Sequence, residues 1–325
     1  MEPDSANLHA DAPPPAPRGR CWALILAGGL GVRLGGDRPK AFVEVAAHPL
    51  LHWSLLAFAR HPRVTDLLVV VPRGLERVFR EEILSPLFPL LGDQATKIRG
   101  IVPGGEHRQD SARLGLKAAY ELWQAGEEAR RSRVAPAIES GHGESAPAGE
   151  PEAHPADALV LIHDAARPLV PVGLIDALLE RLQVALEEMR TPPTTKGGRA
   201  RKKKPKEPSP PAVIPVVPVG ETLKALDESQ RLIETVTRQG LWCAQTPQAF
   251  QLRTVLDLHE QAMEAGYAVT DDAMLYEWRD WSVLTIPGSP LNIKVTFPEE
   301  VDLLEGWLAR HAGEMYDRRA PNSTE

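Results

Sequence analysis

The sequence predicts an α/β protein in which helices cover both faces of a mostly parallel sheet. Continuous apolar runs at residues 22–26, 66–71 and 158–162 are typical of strands buried on both faces. Segments with apolar residues at helical spacing separate these runs, as crossover helices do between parallel strands. Ligands bind such sheets beyond the carboxyl ends of the strands, so we expect the chemistry in the loops found there.

The same periodicities predict the remaining elements. Short apolar segments predict further strands at 98–102, 283–287 and 291–295. Two extended segments flank a turn at 227–230 and predict a hairpin that no helix covers. Such a hairpin needs a partner, because two strands alone are marginally stable in water. Helical spacing predicts helices at 49–59, 75–84, 110–123, 171–189, 252–265, 273–278 and 298–310.

Composition divides the 325 residues into one domain and several segments that cannot bury a core. We expect a disordered tail at 1–20 and a single domain over 21–311. Pro-rich stretches predict disordered insertions at 125–156 and 190–211, the hairpin forms an arm over 219–239, and 312–325 is a tail. The second insertion carries a basic run at 199–206, which is read either as a nucleic-acid or membrane contact or, preferably, as a solvated insertion.

Charge, hydropathy and cysteine content exclude several classes of function. A net charge of −7 argues against general nucleic-acid binding. No apolar run approaches the ~20 residues of a membrane span. Residues 1–20 have no apolar stretch typical of a secretory signal and carry acids where a transit peptide is basic. Two cysteines make no disulfide framework, so we expect a cytoplasmic protein.

A glycine-rich loop follows the first predicted strand and carries two cations, Arg33 and Lys40. Glycines admit positive φ and close approach of a ligand, and their N–H groups can point at phosphate oxygens. A Walker A loop would end in Gly-Lys-Ser/Thr, and a dinucleotide fingerprint needs a small residue in place of Leu34. An ordinary strand-to-helix turn is the remaining alternative. We favour a triphosphate cradle formed with the backbone of Ala27, Gly28, Gly29 and Gly31.

Two more polar loops follow predicted strands. In the loop at 103–111, glycines at 104 and 105 can let the backbone read a base edge, with Ser111 as ligand; a turn with a helix cap is equally favoured. In the loop at 163–168, Asp164 and Arg167 can hold a hydroxylated phosphate ester or a metal. The alternative is an Asp–Arg pair that ties this loop together. Thr246 is a candidate donor to a phosphate. Lys294 can reach the site, although a lone lysine is more often a surface charge.

With these segments in order, the chain resembles the 2-C-methyl-D-erythritol 4-phosphate cytidylyltransferases, from about residue 23 to the last helix apart from the two insertions. The HDAARP run at 163–168 and the QTPQ run at 245–248 are the most specific matches, whereas the glycine loop marks only the wider nucleotidyltransferase group. The other matching segments are AGGLGVR at 27–33, PK at 39–40, GGEHR at 104–108, DS at 110–111, ETLK at 221–224, TVTR at 235–238, TDDA at 270–273 and NIKVT at 292–296.

The resemblance implies a Rossmann-like nucleotidyltransferase fold and a role for each matched residue. It places Arg33, Lys40, Arg238 and Lys294 in catalysis, where the first two stabilise charge on the α-phosphate. Relatives commonly have aspartate where this chain has Glu106, and an acid where it has Leu291. CTP would contact Ala27, Gly28, Gly29, Gly31, Gly105, Glu106 and Ser111, and the acceptor would contact Asp164, Arg167, Thr222, Thr246 and Lys294.

The implied reaction joins CTP to 2-C-methyl-D-erythritol 4-phosphate with release of pyrophosphate, for isoprenoid biosynthesis. It needs no protein nucleophile, and Mg²⁺ or another divalent cation would be held mainly by substrate phosphates. The resemblance also implies a homodimer in which the arm reaches the other subunit. Alternatives are a cytidylyltransferase for another polyol phosphate, such as ribitol 5-phosphate, and a non-enzymatic scaffold that uses the basic insertion.

Overall fold

The computed structural model describes residues 19–29, 38–134, 158–190 and 209–316. Arg33 and Gly31 lie outside the described residues, as do the tail at 1–18, most of both predicted insertions and residues 317–325. Twelve strands are present in the described part of the chain: β1 (Cys21–Leu26), β2 (Glu44–Val45), β3 (His48–Pro49), β4 (Asp66–Val71), β5 (Ile98–Pro103), β6 (Leu159–Asp164), β7 (Ala212–Pro218), β8 (Leu223–Leu226), β9 (Leu232–Val236), β10 (Trp242–Ala244), β11 (Gln248–Gln251) and β12 (Val283–Pro287).

Eight α-helices alternate with these strands over the same described ranges. A π-helical turn, Arg80–Leu84, continues α2 into α3, and a 3₁₀ turn, Lys40–Phe42, follows the glycine loop. The helices are α1 (Leu50–Arg60), α2 (Glu76–Phe79), α3 (Ser85–Leu91), α4 (Arg108–Val134), α5 (Val172–Arg190), α6 (Leu252–Glu264), α7 (Met274–Trp278) and α8 (Pro298–Tyr316).

The central sheet has eight strands in the order β10-β7-β11-β6-β1-β4-β5, with β12 paired to β7. Strands β6, β1, β4 and β5 are parallel, whereas β11 pairs with β6 and with β7 in the antiparallel sense. The predicted α/β class with a mostly parallel, Rossmann-like sheet is therefore confirmed. Strand β6 is the boundary between a parallel half and a mixed half.

Strand register brings the loops of the parallel half to one edge. Leu26 at the end of β1 pairs with Val70 on one side and with Asp164 on the other, and Val71 pairs with Pro103. The loops after β1, β5 and β6 therefore start at the same level of the sheet, as the sequence predicted for a ligand site.

Both faces of the sheet are covered. Ala23 and Ile25 of β1 belong to one core cluster with α1 and α5, whereas Trp22 and Leu24 belong to a second cluster with α4 and α6. Helix α4 lies so close to β1 that a Cβ added to Gly115 would stand 2.4 Å from Leu24 Cδ1. Any side chain at this position would force Leu24, Val70 or the helix to shift within a closely packed core.

Two predicted helix ends and one predicted strand are wrong. Helix α4 continues ten residues into the segment predicted as a disordered insertion at 125–156, because residues 125–134 are mostly good helix formers and the first proline of the segment is Pro136. Helix α8 likewise extends into the predicted tail, to Tyr316. Residues 291–295 are irregular rather than a strand: the N–H of Val295 donates to the Ala166 carbonyl, so the segment is tied to the loop after β6.

The predicted hairpin is confirmed. Strands β8 and β9 pair only with each other among the described strands, and the apolar side chains of Leu226, Leu232 and Ile233 are more than half exposed. We call residues 219–239 the arm. Among the described residues, no helix has the length and apolar character needed to cross a membrane.

Candidate active site

A cavity of about 490 Å³ opens at the edge where the three loops meet. Three cations and two carboxylates line it within the described ranges, together with backbone from the first glycine loop. The lining residues are Leu26, Ala27, Gly28, Gly29, Lys40, Ala41, Leu50, Gly105, Glu106, His107, Arg108, Ser111, Asp164, Ala165, Ala166, Lys294 and Thr296. The structure thus brings together nine of the predicted site residues: Ala27, Gly28, Gly29, Lys40, Gly105, Glu106, Ser111, Asp164 and Lys294.

The glycine loop forms one wall. The Lys40 N–H donates to the carbonyl of Gly29 at 3.1 Å, which places the short 3₁₀ turn of Lys40–Phe42 beside the loop. Neither Gly28 nor Gly29 has a positive φ, so these two positions do not use the left-handed backbone that glycine admits. A Cβ on Gly29 would meet nothing within 4 Å, so this residue faces open space, as a backbone wall for a ligand requires.

The second wall is the start of α4. The Ser111 hydroxyl accepts a hydrogen bond from the Gly105 N–H at 3.2 Å, and the Asp110 carboxylate accepts one from the His107 N–H. A Cβ on Gly104 would lie 2.7 Å from Ser111 Oγ, so the tight turn itself requires glycine. The predicted turn with a helix cap is therefore present, and Gly105, His107 and Ser111 of this segment also line the cavity.

Asp164 forms the floor between the two walls. Arg108 Nε donates to Asp164 Oδ1 at 3.0 Å, and Lys294 Nζ donates to Oδ2 at 2.7 Å. Burial alone would raise the pKa of this carboxyl, but the two cations hold the pKa well below its usual range. Asp164 is therefore ionised at any working pH, and it orients both cations.

Arg167 does not form the loop-tying pair with Asp164 that one alternative expected. Its Nη1 donates to the carbonyl of Asn292 at 2.7 Å, and its Nη2 to the carbonyl of Ala244 at 3.4 Å. The guanidinium therefore connects the loop after β6 to the segment that carries Lys294, and it stands outside the cavity lining.

Thr246 lies behind the floor rather than in the cavity. Its Oγ1 accepts from the Asp164 N–H at 3.0 Å and lies 3.1 Å from Nδ1 of His163. His163 Nε2 lies 3.0 Å from the carbonyl of Arg167, which can only accept, so this nitrogen carries the proton. Nδ1 then accepts from the Thr246 hydroxyl, and the imidazole is neutral.

Burial lowers the pKa of His163 from 6.5 to about 4, against a weaker opposing effect of Asp164. Below pH 6.5 the unfolded chain therefore binds a proton that the folded chain excludes, so stability falls as the pH drops toward 4. We expect this residue to remove about 3 kcal/mol of unfolding free energy across that range. Urea unfolding of wild type and His163→Gln from pH 7 to 4.5 tests this, with the exposed His107→Gln as control. The same dependence of the unfolding free energy on pH in all three proteins would contradict this prediction.

The structure does not place every predicted residue at the cavity. Arg238 and Thr222 lie on the arm, where Arg238 donates to the Gly220 carbonyl, and neither lines the cavity. Arg33 and Gly31 lie outside the described residues. Conversely, Arg108 lines the cavity and was assigned no role from sequence, although it sits in the matched GGEHR run. Its partner Asp272 is 164 positions away, so no local pattern could indicate the pair.

The donor set limits how a metal could bind. No cluster of three or more His, Cys, Asp or Glu side chains suited to a metal occurs in the described ranges. The cavity offers two carboxylates, Asp164 and Glu106, one of which is already paired with two cations. This suits Mg²⁺, which keeps several waters and binds through few carboxylates plus substrate phosphates.

The parallel sheet, the glycine backbone and the cations at its edge define the chain as an α/β nucleotidyltransferase. The family model for "IspD: 2-C-methyl-D-erythritol 4-phosphate cytidylyltransferase" matches residues 21–125 and 200–310. The chain belongs to this family.

Individual relatives agree with the family match. The chain is 33% identical over 304 residues to the 2-C-methyl-D-erythritol 4-phosphate cytidylyltransferase of Ralstonia nicotianae. The aligned region covers 94% of this chain and 98% of that protein. Identity to the enzyme of the same name from Syntrophotalea carbinolica is 32%, over 88% and 95% of the two chains. The crystal structure of the Thermus thermophilus enzyme of this name superimposes with a TM-score of 0.57 at 26% identity, over 89% of this chain and 99% of that one.

Proposed function

We propose that this protein transfers a cytidylyl group from CTP to 2-C-methyl-D-erythritol 4-phosphate. The observation that carries the proposal is the cavity itself, in which Lys40 and Lys294 face one space beside glycine backbone, in a chain of this family. A phosphate oxygen of the acceptor attacks the α-phosphorus of CTP in line. One P–O bond forms, the α–β bridging P–O bond breaks, and pyrophosphate leaves with the electron pair.

The protein acts by positioning and electrostatics, since no side chain needs to form a bond. We assign CTP to the glycine side: Ala27, Gly28, Gly29 and Gly31 with Gly105, Glu106 and Ser111. Arg33 and Lys40 meet the charge that develops on the α-phosphate. A bound divalent cation, held mainly by the substrate phosphates, would neutralise part of the same charge.

The acceptor is assigned to the floor and the arm. Asp164 and Lys294 line that side of the cavity, and Arg167 ties its loop to the Lys294 segment. Thr246 is 5% exposed and both its hydrogen bonds are internal, so we assign it to support of the floor. Thr222 and Arg238 lie on the arm, which we propose reaches the acceptor site of a second copy.

Release of pyrophosphate from CTP tests the proposed function. We expect release that depends on 2-C-methyl-D-erythritol 4-phosphate and on Mg²⁺, and 4-diphosphocytidyl-2-C-methyl-D-erythritol as product. Ribitol 5-phosphate in place of the acceptor is the control for specificity. A higher kcat/KM with ribitol 5-phosphate would overturn the acceptor assignment, and no release with either would overturn the reaction. We propose that this reaction takes place in the cytoplasm.

The exposed apolar surface of the arm supports a homodimer. Leu226, Leu232 and Ile233 are exposed along it, and Trp242 at its base borders a groove of about 740 Å³ lined with valine, proline and isoleucine. Exposed apolar surface of this kind marks an interaction site. A second copy would cover the hairpin and bring its Arg238 toward the acceptor.

Arg238→Ala is therefore expected to raise the KM for the acceptor about tenfold or more, with little change in the KM for CTP, because it removes a charged hydrogen-bond donor. Arg231→Ala, at the turn of the same arm, is the matched control and should behave as wild type. Steady-state kinetics with each substrate varied, together with the mass in solution, give the result. Equal losses for CTP and acceptor would contradict the assignment.

A further inference from the structure

Five side chains form a continuous series of hydrogen bonds from the core behind α6 to the cavity. His259 Nε2 lies 3.1 Å from Asp272 Oδ1, and Arg108 Nη2 donates to Asp272 Oδ2 at 2.8 Å. Arg108 Nε then donates to Asp164, which also holds Lys294. We call these residues, His259, Asp272, Arg108, Asp164 and Lys294, the ion chain.

The inner end of the ion chain is fixed by burial. The side chains of His259 and Asp272 are both 0% exposed. Burial would raise the pKa of Asp272, but Arg108 and His259 lower it to about 2, so the carboxylate is ionised. A buried charge without its partner is strongly unfavourable, so Arg108 is held at Asp272. Since the carboxylate only accepts, His259 donates to one oxygen and leaves the other for Arg108.

The middle of the ion chain transmits that position. The guanidinium is planar and rigid, and Arg108 uses Nη2 for Asp272 and Nε for Asp164. Because the group is rigid, holding Nη2 at the buried Asp272 carboxylate also fixes the direction in which Nε donates to Asp164. A lysine could not bridge the two carboxylates in this way, because it is a single point charge.

The outer end faces the cavity. The Lys294 side chain is 44% exposed, and its Nζ bonds the Asp164 oxygen that Arg108 leaves available. The position of this ammonium thus depends on the orientation of Asp164. Residues 291–295 are irregular, so no strand hydrogen bonds position Lys294 instead.

We propose that Arg108, anchored by Asp272 and His259, is the positioning residue that aligns Asp164, and through it Lys294, for the acceptor phosphate. This inference rests on the proposed function, because it concerns the acceptor side of that reaction. It assigns roles to three residues, Arg108, Asp272 and His259, which the chemistry itself does not use.

Steady-state kinetics of Arg108→Gln and Arg108→Lys test the positioning role. We expect kcat/KM for 2-C-methyl-D-erythritol 4-phosphate to fall roughly 10- to 100-fold in both, because a charged hydrogen bond in a buried setting is lost. The KM for CTP should change less than about threefold, since the glycine wall is untouched. Arg113→Gln is the matched control, as Arg113 lies on the same helix and pairs with Glu260 outside the cavity. It should behave as wild type.

A double-mutant cycle separates the ion chain from a merely local effect. Asp272→Asn keeps the shape but removes the charge, and we expect it to lower acceptor kcat/KM as Arg108→Gln does. The two changes combined should cost no more than the larger single effect, because they break one unit. Three results would each overturn the proposal. They are acceptor kinetics in Arg108→Gln equal to those of wild type, full activity in Arg108→Lys, and losses of kcat/KM that multiply in the double variant.

Unfolding measurements make the test independent of turnover. The same cycle in urea should give coupled, non-additive losses of unfolding free energy for Arg108→Gln and Asp272→Asn. If the two losses of unfolding free energy were additive, the proposed coupling of Arg108 and Asp272 within the ion chain would be overturned, whatever the activity of the variants. If wild type releases no pyrophosphate but the unfolding cycle is coupled, the proposed function fails and the ion chain stands.

Discussion

Lys40→Ala is expected to lower kcat about 10²- to 10³-fold, which is the typical loss when one preorganised donor is removed from a developing charge. Lys40 lines the cavity beside Gly29, and its backbone holds that loop through a main-chain bond that alanine would keep. The substitution should therefore leave folding intact while it removes the ammonium together with its methylene stem. Single-turnover measurement of cytidylyl transfer at saturating CTP gives the effect on the chemical step.

Arg38→Ala is the matched control for Lys40. Arg38 lies two residues earlier, pairs with Glu82, stacks over the Phe42 ring at 4.3 Å from its centroid, and does not line the cavity. Exposed ion pairs of this kind contribute little to stability, so Arg38→Ala should fold normally. Because Arg38 does not line the cavity, the kcat of this variant should stay within about threefold of wild type. A Lys40→Ala rate as high as that of the control would remove Lys40 from the reaction.

Lys294→Ala is the second substitution with a large expected effect. It deletes the cation that we assign to the acceptor and leaves Asp164 paired with Arg108 alone, so the floor of the cavity becomes more negative. Both changes oppose binding of a phosphate dianion, and we expect kcat/KM for the acceptor to fall about 10²-fold or more.

The measurement for Lys294 is the acceptor dependence of pyrophosphate release at fixed CTP. Lys117→Ala removes the same charge from an exposed position on α4 outside the cavity, and it should behave as wild type. Restoration by Lys294→Arg would support a purely electrostatic role. If Lys117→Ala lost as much activity as Lys294→Ala, net charge rather than the placed ammonium would be responsible.

Local patterns predicted the parallel half of the molecule well. Continuous apolar runs mark β1, β4 and β6 because those strands are buried on both faces, and turn chemistry marks the loops at 27–29 and 104–111. Asp164 could be selected from sequence because it ends a buried strand. These signals are all read within a few residues, whereas the order of the strands in the sheet was not predicted.

Features that depend on distant contacts could not be predicted in this way. The pair of Arg108 and Asp272 joins α4 to the start of α7, and the irregular path of 291–295 is set by the Val295 bond to Ala166. The hydrogen bonds of Thr246 and Arg167 could not be predicted from an isolated motif either, because their partners lie on other segments of the chain. The predicted helix at 110–123 is shorter than α4, because the proline content of the whole segment 125–156 outweighed the helix-forming character of its first ten residues.

Strand β6 is the one strand that pairs in parallel with β1 and in the antiparallel sense with β11 among the described strands. Asp164 stands at its end. In our proposed assignment, the CTP contacts lie on loops of the parallel half, whereas Lys294 and the arm follow strands β12 and β7 of the mixed half. Under this proposal, we expect substitutions in the mixed half and the arm to change acceptor specificity more than they change the use of CTP. Engineering of new acceptors should therefore begin on the side of β7, β10 and β11.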